Sequence, residues 1–456
     1  MKIKGKEILD FPISENAKEK YIGDFEVIIE KKLFNIELND KSIAKFYFYK
    51  NLEGEKVHAD YLMCRDYNGE SFTLYDCYIW EDRGSNSKLW IIWKRLLYGQ
   101  HIKQDLLEKI RYAEYVIELP DNKATYRLYI GKTNFDIFDG KISIYTDWNQ
   151  EGNSFNGVKI CVICKQELYT IGAIQEIVLR LMEIYFLVVG FFANVLQRKM
   201  ITEAEREILY YANYASYVRV KKQNIYLPHV LELKKKIDYS KMFMEWWAIR
   251  KKEVYTFNLF AYTVSDPDPI LEVPTATYIQ CLEGYFRMHH ADALKRFPSE
   301  TKDKFIDLFV KYMDNEKDFL LICEEYDIDV QIMKNRIKGK LGDLSNMNLA
   351  DVLTYAMEYC IESKKLFEYE RSTLTENKGS LWKKFRTKAV GHRNWLSHLI
   401  SQNSRFHDEE IELASSKLKL LFRLSLLKDI GAEITEESID NVVRRINNWY
   451  DKYTLN

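Results

Sequence analysis

The chain has 456 residues, more than a single domain usually contains, so we expect two or three domains that each bury a core. The 67 Lys and Arg residues balance 68 Asp and Glu residues, which excludes a global electrostatic field as the source of any nucleic-acid affinity. With only 7 Pro and 18 Gly, the composition also argues against long disordered linkers.

Short runs of β-branched and aromatic residues with a period of two dominate residues 22–165. Turn signals separate these runs, for example Asn68-Gly69 and Asp139-Gly140. The spacing predicts an N-terminal antiparallel β-sandwich or barrel-like domain over residues 1–167. The stretch 89–110 is compatible with a short helical insertion. The predicted strands cover 24–32, 41–50, 71–80, 124–132, 140–148 and 158–166.

From about residue 170 the hydrophobic period changes to 3.6 and stays so to the C-terminus. One long helix is predicted over 171–199. We expect a helical linker region over 168–270 and an all-α bundle over 271–456, which makes the protein an α+β multidomain chain. Further helices are predicted at 202–218, 229–251, 274–295, 301–313, 316–325, 329–339, 348–364, 382–400, 408–428 and 435–453.

The seven cysteines are scattered, and the first residues lack a secretory apolar segment, so we expect reduced thiols and a cytoplasmic protein. Cys161 and Cys164 form a CxxC inside a strand-like run, where buried thiols are favoured over a metal or redox site. The most apolar segment, 184–193, is too short to cross a bilayer and predicts a core helix. We expect no metal, no cofactor and no membrane association.

Arg393, Asn394 and His398 form an R-N-x-x-x-H pattern in the predicted helix 382–400. Residues 394 and 398 are four apart, so they share one helix face, while Trp395 and Leu396 start apolar pairs on other faces. An imidazole exchanges a proton near neutral pH, and a guanidinium binds two phosphate oxygens at once. The trio therefore suits phosphodiester chemistry and can cleave RNA without a metal.

The motif lies in a stretch that has no carboxylate between Glu376 and Asp408. This basic stretch attracts polyanions by counterion release and electrostatic steering. Its candidate RNA-binding residues are Lys383, Lys384, Arg386, Lys388 and Arg405; Lys378 and three histidines, His392, His398 and His407, also belong to it.

The segment AVGHRNWLSHL (389–399) resembles the signature of the HEPN superfamily of helical ribonucleases. It follows TYIQCLEGYFRMHH (277–290) and precedes KLKLLFRLSLLKDIG (417–431), in the order that this superfamily shows. The β-rich front, notably YNGESFTLYDCYI (67–79), is similar to the N-terminal domain of ApeA-like antiphage defence proteins. The resemblance covers nearly the whole chain and is weakest across 170–270.

This resemblance implies a metal-independent endoribonuclease in which two HEPN domains pair as a homodimer and bring two RNxxxH motifs to one cleft. Arg393 would hold the scissile phosphate, His398 would act as general acid or base on the ribose 2'-OH, and Asn394 would orient His398 or bind the phosphate. The products would be a 2',3'-cyclic phosphate and a 5'-OH. Glu283 is a candidate for positioning Arg393, and His392 is either a surface histidine or a further RNA contact.

The implied role is abortive-infection defence, in which the N-terminal domain senses a phage-derived trigger and the HEPN domain cuts RNA, with tRNA among the candidates. Two other hypotheses stay open. One is a catalytically inactive HEPN scaffold that binds RNA or a partner, and the other is a substrate of a nucleotidyltransferase or a partner of an antitoxin. The adjacent His289 and His290 point about 100° apart on a helix, which disfavours a shared metal. Trp395 is expected in the core.

Overall fold

The fold is described from a computed structural model, which divides the chain into two compact units, residues 1–248 and 249–456. The described residues are 2–14, 17–29, 34–38, 57–82, 88–93, 95–102, 107–118, 133–151, 154–190, 194–212, 231–234, 237–265, 270, 272–295, 299–342, 347–368, 381–398, 404–407 and 409–454. The predicted strands 41–50 and 124–132 lie outside these residues, as does Lys378.

The first unit contains an antiparallel sheet, as the period of two predicts. Its strands are β1 (Lys2–Ser14), β2 (Ala17–Ile29), β3 (Phe34–Leu38), β4 (Val57–Asp66), β5 (Ser71–Asp82), β6 (Lys88–Ile92), β7 (Arg95–Tyr98), β8 (Lys109–Glu118), β9 (Thr133–Ile137), β10 (Ile142–Glu151), β11 (Ser154–Cys164), β12 (Tyr169–Thr170), β13 (Asn194–Thr202) and β14 (Glu207–Ala212).

Six of these strands form a closed ring of antiparallel pairings. The order is β4-β1-β2-β3-β6-β5, and β4 also pairs with β5, which closes the ring. Apolar side chains of the ring strands form one buried cluster, in which Phe25, Phe72 and Trp93 are the largest members. A closed ring leaves its strands without free hydrogen-bonding edges, so the pairings and the buried cluster stabilise the same part of the unit.

Strand β5 connects the ring to the rest of the sheet because its partner on one edge changes along its length. Phe72–Tyr75 pair with β7, whereas Tyr78–Asp82 pair with β6. Asp76 lies between the two registers with a positive φ of 51°, and the Nη1 of Arg95 lies 2.7 Å from its Oδ2. From β7 the sheet continues in the order β14-β13-β8-β11-β10-β9.

Helix α1 (Ile171–Val189) follows β12 and covers part of this second stretch of sheet, in contact with β8. The Thr170 hydroxyl caps its first turn by accepting a hydrogen bond from the Ala173 N–H at 3.2 Å. At its C-terminal half, the Glu183 carboxylate is buried and accepts from the Arg180 guanidinium at 2.7 Å and the Trp246 indole at 2.9 Å. The apolar segment 184–193 is thus part of a core helix up to Val189, as expected.

The predicted helix over 171–199 is wrong beyond Val189. Gly190 adopts a left-handed φ of 88° and its N–H donates to the Phe186 carbonyl, which ends the helix. Strands β13 and β14 follow where helices were predicted at 190–199 and 202–212, and β13 pairs with β8 on one edge and β14 on the other. Pairing on both edges overrides the weak helical period of this segment. Residues 213–218 of the second predicted helix lie outside the described part.

The helical insertion considered for 89–110 is also absent from the described residues of that stretch, where β6 and β7 and the start of β8 are found instead. Apolar residues of this stretch are buried in the cluster of the ring, among them Ile91, Trp93 and Leu96. A short apolar run bounded by strands does not distinguish helix from strand by period alone.

The remaining helices are α2 (Tyr239–Lys252), α3 (Tyr255–Ser265), α4 (Glu272–His289), α5 (Ser299–Asn315), α6 (Lys317–Glu325), α7 (Val330–Gly342), α8 (Leu349–Glu358), α9 (Ile361–Leu366), α10 (Leu381–His398), α11 (Glu409–Asp429) and α12 (Glu436–Thr454). The α+β class is confirmed, and from α4 onwards the predicted helices begin within two residues of their predicted positions. The helix predicted over 229–251 begins only at Tyr239, because the described residues 231–234 and 237–238 are not helical.

Two details of the helical unit differ from the sequence prediction. Helix α3 was not predicted, and the helix predicted over 348–364 is divided into α8 and α9. The division occurs at Cys360, whose Sγ caps the next turn by accepting from the Ser363 N–H at 3.3 Å. Residues 399 and 400 of the predicted helix 382–400 lie outside the described part.

Helix α4 is central to the helical unit, since it contacts α3, α8, α10 and α11. Its buried face includes Tyr278, Leu282, Tyr285 and Phe286, and the partly exposed face carries polar residues. Among the described helices, none combines the length and the apolarity that a bilayer crossing requires.

Candidate functional site

The R-N-x-x-x-H pattern lies in the last two turns of α10, opposite the middle of α4. Arg393 and Ser397 are four residues apart, as are Asn394 and His398, so these side chains occupy an arc of about 140° on the partly or fully exposed side of α10. The opposite face is anchored: Gly391 and the residues around it are buried against the rest of the unit. One face of α10 therefore fixes the helix and the other presents the motif.

Arg393 is held by two oxygen acceptors. Its Nη2 lies 3.3 Å from the Glu283 Oε2, and its Nη1 donates to the Asn394 Oδ1 at 3.2 Å. The Arg393 side chain keeps 28% of its exposure, while that of Glu283 keeps 18%. The guanidinium is thus oriented by Asn394 and by the more buried Glu283, and it still has an open side.

Glu283 belongs to a polar stripe on α4 that also includes Gln280 and Arg287. The Arg287 Nε donates to the Glu283 Oε1 at 3.0 Å, so this carboxylate lies between two guanidinium groups. The Gln280 Nε2 donates to the Ser397 Oγ at 3.3 Å, one turn beyond Arg393. The stripe and the motif face of α10 contact each other at two levels.

His398 is the last residue of α10 and its side chain is exposed. Within the part of the chain that the structure describes, its imidazole makes no hydrogen bond to Asn394 or to Arg393. The structure therefore brings Arg393, Asn394 and Glu283 together, and leaves His398 one turn beyond Asn394 with its ring open to solvent.

The expectation that His392 is a surface histidine is wrong. Its side chain has no exposed area, and its Nε2 donates to the Glu272 carbonyl at 2.9 Å. Burial lowers the pKa of this imidazole, although the hydrogen bond to the carbonyl acts in the opposite direction. Because the ring also contacts Trp395 and Phe406, His392 anchors α10 instead of contacting RNA.

The candidate RNA-binding cations differ in how far they are already paired. Lys383 and Lys384 are exposed on the first turns of α10. Arg386 donates to the Thr354 Oγ1 at 2.8 Å, and Lys388 forms an ion pair with Glu410. Lys388 is therefore less available to RNA than the exposed Lys384, because a carboxylate from α11 neutralises Lys388.

Arg405 lies against the ring of Trp395, with the guanidinium carbon 4.1 Å from the ring centroid. This distance is typical of a cation–π contact. Trp395 is half-buried, so the expectation that it belongs wholly to the core is only partly met. The ring of Trp395 thus positions Arg405 beside the motif helix.

His289 and His290 point in different directions, as their adjacent positions on α4 predict. His289 stacks on Tyr285 at 4.6 Å between centroids, and burial lowers its pKa. His290 lies 2.9 Å from the Asp429 Oδ2. One imidazole thus packs against an aromatic ring and the other forms a hydrogen bond.

Cys161 and Cys164, the two cysteines of the CxxC, are buried free thiols.

The described residues include no group of three or more His, Cys, Asp or Glu side chains placed to hold a metal ion. In comparisons with known proteins, no family model matches the chain, and no curated protein or solved structure is significantly similar to it. A functional assignment therefore has to be built on the site geometry and on the motif.

Sequence reasoning did not single out Gln280, Arg287 and Ser397, although each contacts the motif face or Glu283. The signal was present in α4, where positions 280, 283 and 287 are polar on an otherwise apolar helix and are three and four residues apart. Such spacing indicates one face, but it does not say which helix that face will meet.

Proposed function

We propose that the protein is a metal-independent endoribonuclease of the HEPN type that acts in abortive-infection defence against phages. The observation that supports this most is the Arg393 guanidinium, oriented by Glu283 and Asn394, on the helix whose last residue is the exposed His398. A fixed cation beside a titratable base is the minimum that phosphodiester transesterification needs without a metal.

In the proposed reaction the ribose 2'-oxygen attacks the adjacent phosphorus and the bond to the 5'-oxygen breaks. Arg393 binds the non-bridging oxygens and stabilises the charge that develops on them. His398 removes the proton from the 2'-OH or donates one to the leaving 5'-oxygen, and Asn394 holds the Arg393 side chain in place. The products are a 2',3'-cyclic phosphate and a 5'-OH.

The active form is proposed to be a homodimer. The motif supplies one imidazole per chain, whereas the reaction needs a base at one oxygen and an acid at the other. Pairing two copies through the helical unit brings two His398 side chains to one cleft, where one is neutral and one protonated. RNA is the partner of that cleft, and tRNA is one candidate substrate.

The basic stretch supports RNA as the substrate, since Lys383 and Lys384 are exposed on the helix that carries the motif. Phosphate contacts of this kind bind polyanions without reading their sequence. The assignment to phage defence, with a phage-derived trigger that acts at the N-terminal unit, is supported by the resemblance of the segment 67–79 alone.

The test is incubation of the purified full-length protein with total cellular RNA in EDTA, followed by mapping of new 5'-OH ends. We expect cleavage by the wild type and a loss of about 100-fold or more in Arg393→Ala and in His398→Ala. His407→Ala is the matched control, because His407 is an exposed histidine of the same basic stretch outside the motif. This variant is expected to cleave like the wild type.

Cleavage that requires a divalent metal, or that survives in His398→Ala, would contradict the proposal. If no variant and no wild-type sample cuts RNA, with or without extract from phage-infected cells, the alternative of a catalytically inactive HEPN scaffold that binds RNA or a partner is favoured. Circular dichroism of each variant separates loss of activity from loss of folding.

A further inference from the structure

A cavity of about 380 Å³ opens in the N-terminal unit, away from the ribonuclease motif in sequence. It lies between the turn after β9, the start of α1 and helix α2. Phe138, Tyr169, Ile177, Met244 and Trp247 supply its apolar wall. Nothing in the proposed ribonuclease chemistry uses this cavity.

The aromatic part of the wall is held rigidly. The rings of Phe138 and Trp247 form a T-shaped contact, with 5.2 Å between centroids and an interplanar angle of 78°, and Phe243 packs against both rings. The Ser240 hydroxyl connects α2 to the end of β9, just before Phe138, by donating a hydrogen bond to the Asp136 carbonyl at 2.5 Å. The rings are therefore positioned before any ligand arrives, which lowers the entropic cost of binding.

The turn that carries Phe138 has an uncommon backbone. Phe138, Asp139 and Gly140 have φ values of 52°, 56° and 80°, and the first two are left-handed without being glycine. A bulky residue rarely adopts this region, so the contacts of Phe138 with α2 offset the cost of its conformation. The conformation points Asp139 and Phe138 to the same cavity.

The charges around the cavity are unbalanced. Lys141 is already paired with Glu167 at 3.0 Å, and Glu167 also accepts from the Tyr169 hydroxyl. Asp139 is exposed, and no ion pair or hydrogen bond of its carboxylate is found among the described residues. Glu176 is 50% exposed, and its Oε1 lies 3.4 Å from the Nη2 of Arg180. Arg180 is paired more closely with Glu183, whose Oε1 lies 2.7 Å from its Nη1. Two carboxylates thus lack a strong partner.

We propose that this cavity binds a guanidinium or ammonium group on an apolar stem, of the kind that an arginine side chain presents. The indole of Trp247 is the ring with the strongest attraction for a cation, and Phe138 closes a second side. Asp139 and Glu176 supply the countercharge, while Ile177 and Met244 contact the stem. A planar guanidinium can stack on the indole and donate to a carboxylate at the same time.

The proposed cation site is tested by the binding of N-acetyl-arginine methylamide to the full-length protein. Calorimetry and tryptophan fluorescence measure this binding. The neutral citrulline counterpart has the same shape without the charge, and we expect it to bind about tenfold more weakly or worse. The assay involves no RNA, so its outcome is independent of the proposed ribonuclease activity.

Asp139→Asn and Glu176→Gln remove each charge and keep the shape, and asparagine tolerates the left-handed backbone at position 139. We expect each variant to weaken binding about five- to tenfold. Asp60→Asn, an exposed carboxylate on β4 outside the cavity, is the control for net charge and should bind like the wild type.

The source of the cation is decided by comparing agmatine with the peptide Gly-Gly-Arg-Gly-Gly. Tighter binding of the peptide supports an arginine of a protein partner, and tighter binding of agmatine supports a free small guanidinium. The proposal is overturned if neither ligand binds at about 10 mM, if citrulline methylamide binds as well as the arginine derivative, or if both carboxylate variants bind unchanged.

Discussion

Glu283 and Arg393 are 110 residues apart in the sequence and form an ion pair of 3.3 Å between the middle of α4 and the last turns of α10. Arg287 engages the other carboxylate oxygen of Glu283 at 3.0 Å. The carboxylate therefore does not simply neutralise Arg393, because it shares its charge between two guanidinium groups. Its main effect is to fix the direction of the Arg393 side chain.

We expect Glu283→Gln to reduce RNA cleavage by about ten- to 100-fold, since a small displacement of a catalytic group has an effect of this size. In the proposed function Glu283 positions Arg393, so the turnover rate should fall more than the apparent affinity for RNA. Single-turnover and steady-state kinetics on one RNA measure both quantities. Glu300→Gln, an exposed carboxylate on α5, is the control. Equal activity of the two variants would show that Arg393 does not depend on Glu283.

The contact at Gly391 predicts a strong effect of one added methyl group. A Cβ at this position would lie 1.7 Å from the Ser404 carbonyl oxygen, so α10 and the 404–407 segment would have to separate. We expect Gly391→Ala to destabilise the helical unit by roughly 3 kcal/mol and to reduce cleavage, because Arg393 follows two residues later. Urea unfolding and the cleavage assay measure the two effects.

Gly284→Ala is the matched control for that change, since Gly284 also lies inside a helix. Its added Cβ would come no closer than 3.3 Å, to the Thr256 Oγ1, and this side chain can rotate. The better helix propensity of alanine offsets the contact, so the net change should stay within about 1 kcal/mol. If both variants lose the same stability, the contact at Ser404 is not the cause.

The salt dependence of RNA binding distinguishes the exposed Lys384 from Lys388, which is paired with Glu410. RNA binding is measured in the His398→Ala background so that the RNA stays intact. Removing Lys384 should lower the slope of log Kd against log salt concentration by about 0.7, the value for one phosphate contact on a single strand. Lys388→Ala should lower it less, because Glu410 already neutralises Lys388. A larger effect at Lys388 would place the RNA path on the other end of the stretch.

The proposed motif could be read from the sequence because its residues are local: Arg393, Asn394 and His398 lie within six residues of one helix. The burial of His392 was not visible, since it depends on the Glu272 carbonyl, 120 residues away. The pairing of Lys388 with Glu410 was missed for the same reason, as the absence of carboxylates within 377–407 says nothing about those on neighbouring helices.

The fold shows the same division between local and distant signals. Alternation in the segment 71–80 and the 3.6 period of 409–429 both gave the right element, because burial on one face shapes each pattern. The segment 194–212 failed because β13 owes its conformation to pairing with β8 and β14, which no local pattern contains. Gly190 was the one local signal that the preceding helix ends there.

Burial of His392 predicts a loss of stability at mildly acidic pH. Its folded pKa is lowered, mainly by burial, whereas an unfolded histidine titrates at about 6.5. Below that value the unfolded state binds more protons, so stability falls as the pH decreases from about 6.5 towards the folded pKa. His289 acts in the same direction.

Calorimetric unfolding between about pH 7.5 and pH 5 measures this effect. In His392→Gln the amide can still donate to the Glu272 carbonyl but cannot be protonated, so the pH dependence of the unfolding temperature should be weaker. A parallel dependence in wild type and variant would mean that other groups control acid stability.

Asp429 joins the ends of three helices, and its removal should destabilise the helical unit. It accepts hydrogen bonds from the hydroxyls of Tyr285 and Tyr359 and from the His290 Nε2 at 2.9 Å, with 14% of its side chain exposed. Burial opposes its ionisation, but these three hydrogen bonds outweigh burial and hold its pKa below the ordinary value. Asp429→Asn keeps the size and loses the charge and one acceptor oxygen.

We expect this variant to lose about 2–4 kcal/mol of unfolding free energy at neutral pH, because the tyrosine hydroxyls then lack a charged acceptor. A depressed carboxyl pKa contributes stability above the unfolded value of about 3.9, and this contribution is lost as the pH falls through the folded pKa. The difference between wild type and variant should therefore persist from pH 7 to about 5 and shrink below about 4. Asp440→Asn, which removes an exposed partner of Lys365, is the control and should leave the unfolding free energy close to that of the wild type.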